Sequence, residues 1–161
     1  PTDPATVCGP LISARQRDRV QGYLDLALVE GGSFACGGGG RPGTLDRGYF
    51  IAPTVIRGLD NTARTAREEI FGPVLVVLAH DGDDDAVAIA NDSRYGLSAA
   101  VWSSDPQRAA SAAARLRTGT VSVNGGECGI RPTRRSAAIS SRATAARWGG
   151  WPASPNTSRP K

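Results

Sequence analysis

The sequence predicts an α/β fold with a mostly parallel sheet, and three observations carry that expectation. From Pro73 onward, apolar strand-like runs alternate with helical patterns through short connections. The helices between them open on acidic residues or on an Asp-Pro pair, both of which favour a helix start. The 161 residues, 40% hydrophobic and 21% charged, are enough to enclose one core and too few for two ordinary domains.

Each element follows from its residues. Ser13 is a candidate cap, and behind it Val20, Tyr23, Leu24, Ala27 and Leu28 fall at helical spacing until Gly31-Gly32 stops the pattern near Glu30. Ser33 to Cys36 reads as a short strand entering the glycine run Gly37 to Gly40. Tyr49 to Ile56 reads as a second strand, and Pro53 within it predicts an edge position. Val74 to Leu78 is a continuous apolar run, suited to a strand covered on both faces. Asp83 to Asn91 follows as a helix with Ala86, Val87, Ile89 and Ala90 inward. Leu97 to Trp102 is the next strand. Asp105-Pro106 then starts a helix through Ala109, Ala112, Ala113 and Leu116 that ends at Gly119, and Thr120 to Val123 closes the series as a strand.

Composition narrows the class further. No apolar stretch reaches the roughly eighteen residues of a spanning helix, and no signal peptide opens the chain, so a soluble, cytoplasmic domain without membrane contact is expected. The net charge of +4 is uneven. Residues 1–124 hold 12 Arg against 14 Asp plus Glu, a balance of −2, whereas residues 125–161 hold 7 basic residues against Glu127, a balance of +6. That tail has no sustained period of two or 3.6 and strings together Ser, Ala, Thr, Arg, Gly and Pro, so it is expected to be disordered. Cys8, Cys36 and Cys128 make an odd count without metal-ligand spacing, which argues against a disulfide framework or a zinc site. His80, the one histidine, is expected to be structural or exposed.

Five segments occur in order: Gly9-Pro10-Leu11-Ile12-Ser13; Gly48-Tyr49-Phe50 with Pro53-Thr54; Glu68-Glu69-Ile70-Phe71-Gly72-Pro73-Val74; Ala90-Asn91-Asp92 with Tyr95-Gly96-Leu97; and Gly119-Thr120-Val121 with Asn124. Together they resemble the C-terminal part of the NAD(P)-dependent aldehyde dehydrogenases over about residues 1–124. The resemblance implies a three-layer α/β sandwich with a mostly parallel sheet, of which this chain is an incomplete fragment of the catalytic domain. Read from the residues alone, Phe71 is a core aromatic and Glu69 a solvated loop charge. The resemblance instead implies that Glu69 accepts hydrogen bonds from the nicotinamide ribose hydroxyls and that Phe71 packs beside the ribose and nicotinamide of NAD or NADP. A carboxylate with two acceptor oxygens suits a vicinal diol, and a ring suits a flat heterocycle. Tyr95-Gly96-Leu97 reads as a turn feeding a strand.

The resemblance also implies what these residues lack. The family's nucleophilic cysteine, general-base glutamate, oxyanion-hole asparagine and nucleotide-binding domain lie upstream of the segment matching Gly9 to Ser13. Oxidation of an aldehyde to a carboxylic acid needs a thiolate to add to the carbonyl and a base to activate the deacylating water. None of the three cysteines matches that nucleophile, so no catalytic residue is assigned and the chain is expected to be inactive alone.

After Asn124 the family continues with a proline-phenylalanine-glycine-glycine motif, a lysine, a serine-glycine and a glycine-arginine-glutamate, none of which appears here. A shifted reading frame accounts for this. If each triplet is taken as the third base of one codon plus the first two of the next, Pro132 to Ser141 can be read as D-A-P-F-G-G-Y-K-Q-S, and Arg142 to Trp148 as G-D-G-R-E-M-G. The observed residues largely fix two of three bases, so little freedom enters. A frameshift between Asn124 and Pro132 is therefore expected, leaving 125–161 as an aberrant tail of a broken gene. The family's final segment supplies substrate-pocket walls and a strand that pairs across the homo-oligomer, so loss of both and an open sheet edge are expected. Two other readings stay open: nucleic-acid binding by Arg131, Arg134, Arg135, Arg142 and Arg147 with Trp148 and Trp151, and a module that docks on an intact dehydrogenase subunit.

Overall fold

A computed structural model describes residues 4, 6–43 and 45–125. The described residues divide into two compact units, with the boundary between Ser93 and Arg94. Cys128, the shifted-frame segment and the basic cluster of the tail lie outside the described residues.

In the first unit, Ser13 opens helix α1 (Ala14–Val29) by accepting a hydrogen bond at its hydroxyl from the Gln16 N–H. The helix closes with two bonds that use the glycines: Gly31 N–H to Leu28 O at 3.1 Å and Gly32 N–H to Ala27 O at 2.8 Å. Gly31 takes φ +89°, the left-handed position that this ending requires. Val20, Tyr23, Leu24 and Ala27 form the buried stripe, whereas Leu28 is 51% exposed, because the helix packs on a narrower face than the spacing admits.

Strand β1 (Ser33–Cys36) pairs antiparallel with β2 (Thr54–Arg57), and β2 pairs parallel with β3 (Val74–Val76) in the order β1-β2-β3. A register shift between Phe34 and Cys36 marks a bulge. The second strand is therefore central, which corrects the expected edge position. Pro53 stands just before it, where its missing N–H breaks no ladder bond, and the ladder begins with Thr54 N–H to Pro73 O at 2.9 Å. The third strand is shorter than its apolar run and covered on one face. Val74, Val76 and Leu78 pack against the core, while Leu75 and Val77 are 60% and 47% exposed, as the period of two dictates.

Short helix α2 (Arg64–Arg67) has no cap of its own. Glu30, at the end of α1, supplies one, accepting from Arg64 N–H at 2.7 Å and Thr65 N–H at 3.1 Å. Burial opposes ionisation of Glu30, but the Thr65 and Arg64 donors outweigh it and lower its pKa. Helix α3 (Gly82–Asn91) carries Asp83, Asp84 and Asp85 in its first turn and buries Val87; Ala90, expected inward, is exposed. Arg67 grips Asp92 through two bonds of 2.8 and 3.1 Å, fixing the far end of α3 to α2.

The second unit is a parallel β–α–β: β4 (Ser98–Val101), α4 (Pro106–Arg115) and β5 (Thr120–Val123). Asp105 caps α4, its carboxylate accepting from Gln107 and Arg108 N–H groups at 2.9 and 3.2 Å. The helix ends at Arg115, short of Gly119. That glycine instead enters β5, donating to Gly96 O at 2.8 Å, and a Cβ there would lie 2.9 Å from Leu97 O. Asn124, at φ +51°, ties the strand ends together: its side chain accepts from Ser103 N–H and donates to Ser103 O, each at 2.9 Å. Within the first unit β1–β3 form a three-stranded sheet, and within the second β4 and β5 pair parallel as two strands. Alternation of strand and helix specifies parallel crossovers, not which strand becomes the hydrogen-bonded neighbour.

Candidate functional site

The segment from Glu68 to Pro73 joins α2 to β3 and contains both residues singled out from the sequence. Ile70 anchors it, buried in the core with Val20, Tyr23, Leu24 and Ile56. Glu69 and Phe71 flank that anchor and both are exposed, Phe71 by 67%. The core-aromatic reading of Phe71 is therefore overturned: the buried side chain here is its neighbour Ile70.

The backbone under these two side chains is held at three consecutive carbonyls. Arg19 donates to Glu69 O at 2.7 Å, and the Gln16 side-chain amide donates to Ile70 O at 3.1 Å and Phe71 O at 2.8 Å. One turn further along α1, Tyr23 donates its hydroxyl to the Glu68 carboxylate at 2.5 Å. That bond is the main cause of a raised Tyr23 pKa, with burial adding to it, so the phenol stays protonated and donating at neutral pH. Arg64 completes the cluster at 2.9 Å from Glu68.

The loop lies hard against the helix. A Cβ on Gly72 would sit 2.6 Å from Val20 Cγ2, so glycine is the residue that lets the backbone approach. Phe71 adopts φ +58°, a left-handed conformation that costs a non-glycine residue about 1–2 kcal/mol. Such a conformation persists where surrounding contacts over-determine it. An exposed carboxylate and an exposed ring on a backbone fixed in this way suit a ligand that offers vicinal hydroxyls beside a flat ring.

The remaining candidates contribute no chemistry at this loop. Cys8 and Cys36 are free and exposed. His80 is exposed, with Nδ1 3.0 Å from Gly82 O at the start of α3. The helix side of the site adds Gln16 and Arg19, which the sequence motif does not contain, and the hydroxyl of Tyr23. Their signal is present in the sequence: polar groups at positions i, i+3 and i+7 run along one stripe that borders the buried face of α1.

Comparison with known proteins gives one answer. The aldehyde dehydrogenase family matches residues 1–135. The chain is 52% identical over 123 residues to the geranial dehydrogenase of Castellaniella defragrans, covering 76% of this chain and 25% of that protein. It is 45% identical to a betaine aldehyde dehydrogenase of Brucella ovis, covering 77% and 26%. Among solved structures, the Mycobacterium tuberculosis aldehyde dehydrogenase complexed with NAD+ superposes with a TM-score of 0.74 at 50% identity, covering 77% of this chain and 26% of that one. The betaine aldehyde dehydrogenase of Staphylococcus aureus in complex with NAD+ superposes at 0.73 with 42% identity, covering 76% and 24%. The chain thus spans about a quarter of the length of the relatives it matches. With the order of its segments, its α/β architecture and these matches in agreement, this chain belongs to the aldehyde dehydrogenase family.

Proposed function

We propose that this chain is the nicotinamide-ribose-contacting part of a cytoplasmic, NAD- or NADP-dependent enzyme that oxidises an aldehyde to a carboxylic acid. Glu69 accepts hydrogen bonds from the ribose hydroxyls, and Phe71 packs beside the ribose and nicotinamide. The observation that carries this reading is the pairing of an exposed carboxylate with an exposed ring on a loop whose backbone is fixed at three consecutive carbonyls. A nicotinamide cofactor held there would supply the hydride acceptor, and Glu69 and Phe71 would orient it. They supply no nucleophile, and the 161 residues alone do not oxidise aldehydes.

Titration of the isotopically labelled 161-residue chain with NAD+ at millimolar concentration tests the contact. Amide shifts are expected to move at Glu69, Ile70 and Phe71, and Glu69→Gln or Phe71→Ala should weaken the response several-fold. A wild-type chain whose loop signals stay still overturns the assignment. Cofactor reduction by the chain alone, given aldehyde and NAD+, overturns the inactivity.

The tail from residue 125 is, on the same reading, family sequence translated out of frame. Support comes from the recovered motif over Pro132 to Trp148. Resequencing the gene between the codons for Asn124 and Pro132 is expected to reveal an inserted or deleted base. Third bases incompatible with the shifted reading refute it.

A further inference from the structure

We propose that Gln16, assisted by Arg19, is a positioning residue for the ribose-contacting loop: its side-chain amide holds Phe71 in the left-handed conformation that presents Glu69 and Phe71 to the nucleotide. This rests on the reading of Glu69 and Phe71 as nucleotide contacts.

Three features of the geometry lead to Gln16. First, one nitrogen donates to two successive carbonyls, Ile70 O and Phe71 O, which uses both of its hydrogens and fixes the orientation of two peptide planes. The second of these planes follows the strained residue itself, whose φ is +58°. Second, Gln16 is itself immobilised. It lies half-buried in the first turn of α1, where its backbone N–H is bonded to the Ser13 cap at 3.2 Å. Third, the loop has little room to settle differently, since Ile70 is buried and Gly72 stands against Val20. Arg19 adds a charge-assisted bond to Glu69 O at 2.7 Å, one residue upstream of the pair that Gln16 holds.

The functional consequence is pre-organisation. A loop already fixed before binding loses less conformational freedom when the nucleotide arrives, so the contacts made by Glu69 and Phe71 translate more fully into affinity. Gln16 bonds to the backbone that carries the carboxylate and the ring, and it acts through that backbone.

The test uses the full 161-residue chain and three readouts: the Phe71 backbone chemical shifts, which report its conformation; NAD+ affinity by titration; and the melting temperature. Gln16→Ala and Gln16→Glu both remove the two donors, and the second preserves side-chain size if the first folds poorly. Each is expected to move Phe71 out of its left-handed shifts and to weaken NAD+ binding about fivefold to tenfold, the weight of one or two net hydrogen bonds. The buried residues of the first unit should keep their signals. Arg19→Ala, which removes the donor toward Glu69 O, is expected to shift the loop signals in the same direction by a smaller amount. Phe71 shifts that stay at wild-type values in both Gln16 variants overturn the proposal. So does a displaced loop that binds NAD+ as tightly as before. If Glu69→Gln binds like wild type, or the wild-type chain gives no response, the nucleotide reading fails, and the Phe71 shifts still decide whether Gln16 sets the loop.

Discussion

The two units start their long helices with the same device, a side-chain oxygen accepting first-turn N–H groups, Ser13 in one and Asp105 in the other. They differ in what the helix then buries. Helix α1 delivers Val20, Tyr23, Leu24 and Ala27 to a cluster completed by Ile51, Ile56, Leu59 and Ile70, side chains drawn from well-separated stretches of sequence. Helix α4 buries Ala109 and Ala113 beside Val121, with no other buried hydrophobic in the described part of its unit. Alanine lets a helix lie close to its strands but removes little apolar area from water. Among the described residues, equal local signals therefore produce unequal cores, and the larger core lies under the loop that holds Phe71 at φ +58°.

That contrast can be broken by experiment, beginning with the largest effect. Leu24→Ala opens a cavity in the first core and should cost about 2–5 kcal/mol, read by denaturant unfolding, with exchange protection in β4 and β5 keeping its wild-type pattern. Equal loss in both units would show that they fold as one body. Gly72→Ala forces a Cβ toward Val20 and should cost about 1–3 kcal/mol while displacing Glu69 and Phe71, seen as altered loop shifts. Asp105→Ala removes the only side-chain cap of α4 and should cost about 1 kcal/mol, appearing as fraying of that helix with the first unit unchanged.

The smallest effect depends on pH. Folding lowers the pKa of Glu30, so in the acid range the unfolded chain binds more protons than the folded one. The contribution of Glu30 is complete above the ordinary glutamate pKa and is lost as pH falls through its depressed value. Glu30→Gln should flatten this part of the stability–pH curve and loosen α2, and an unchanged acid limb would show that the Arg64 and Thr65 contacts add nothing.

Much of the fold was legible because its signals are local. Ser13, Asp105-Pro106 and Gly31-Gly32 mark helix ends by hydrogen bonds that span a few residues, and each mark was obeyed. The structure departs from the local pattern where the outcome depends on distant partners. Pro53 signalled an edge, yet β2 became central because the proline precedes the ladder. The run Val74 to Leu78 suggested burial on both faces, but Leu75 and Val77 are exposed. In the candidate site, the motif singles out Glu69 and Phe71, whereas Gln16 and Arg19 lie outside it, 55 and 50 residues from the carbonyls they hold.

The sequence by itself determined the order of the strands and of the three longer helices, the Ser13 and Asp105 caps and the family to which the chain belongs, and it singled out Glu69 and Phe71. Each rests on chemistry contained in a short stretch of chain. The tertiary structure alone decided that Ile70, not Phe71, turns into the core, that Phe71 stands in a left-handed conformation, and that a helix half the chain's described length away pins its carbonyl. A left-handed phenylalanine is unfavourable in isolation. It is held because burial of Ile70, close approach at Gly72 and the two bonds from Gln16 act on the same few peptide planes at once.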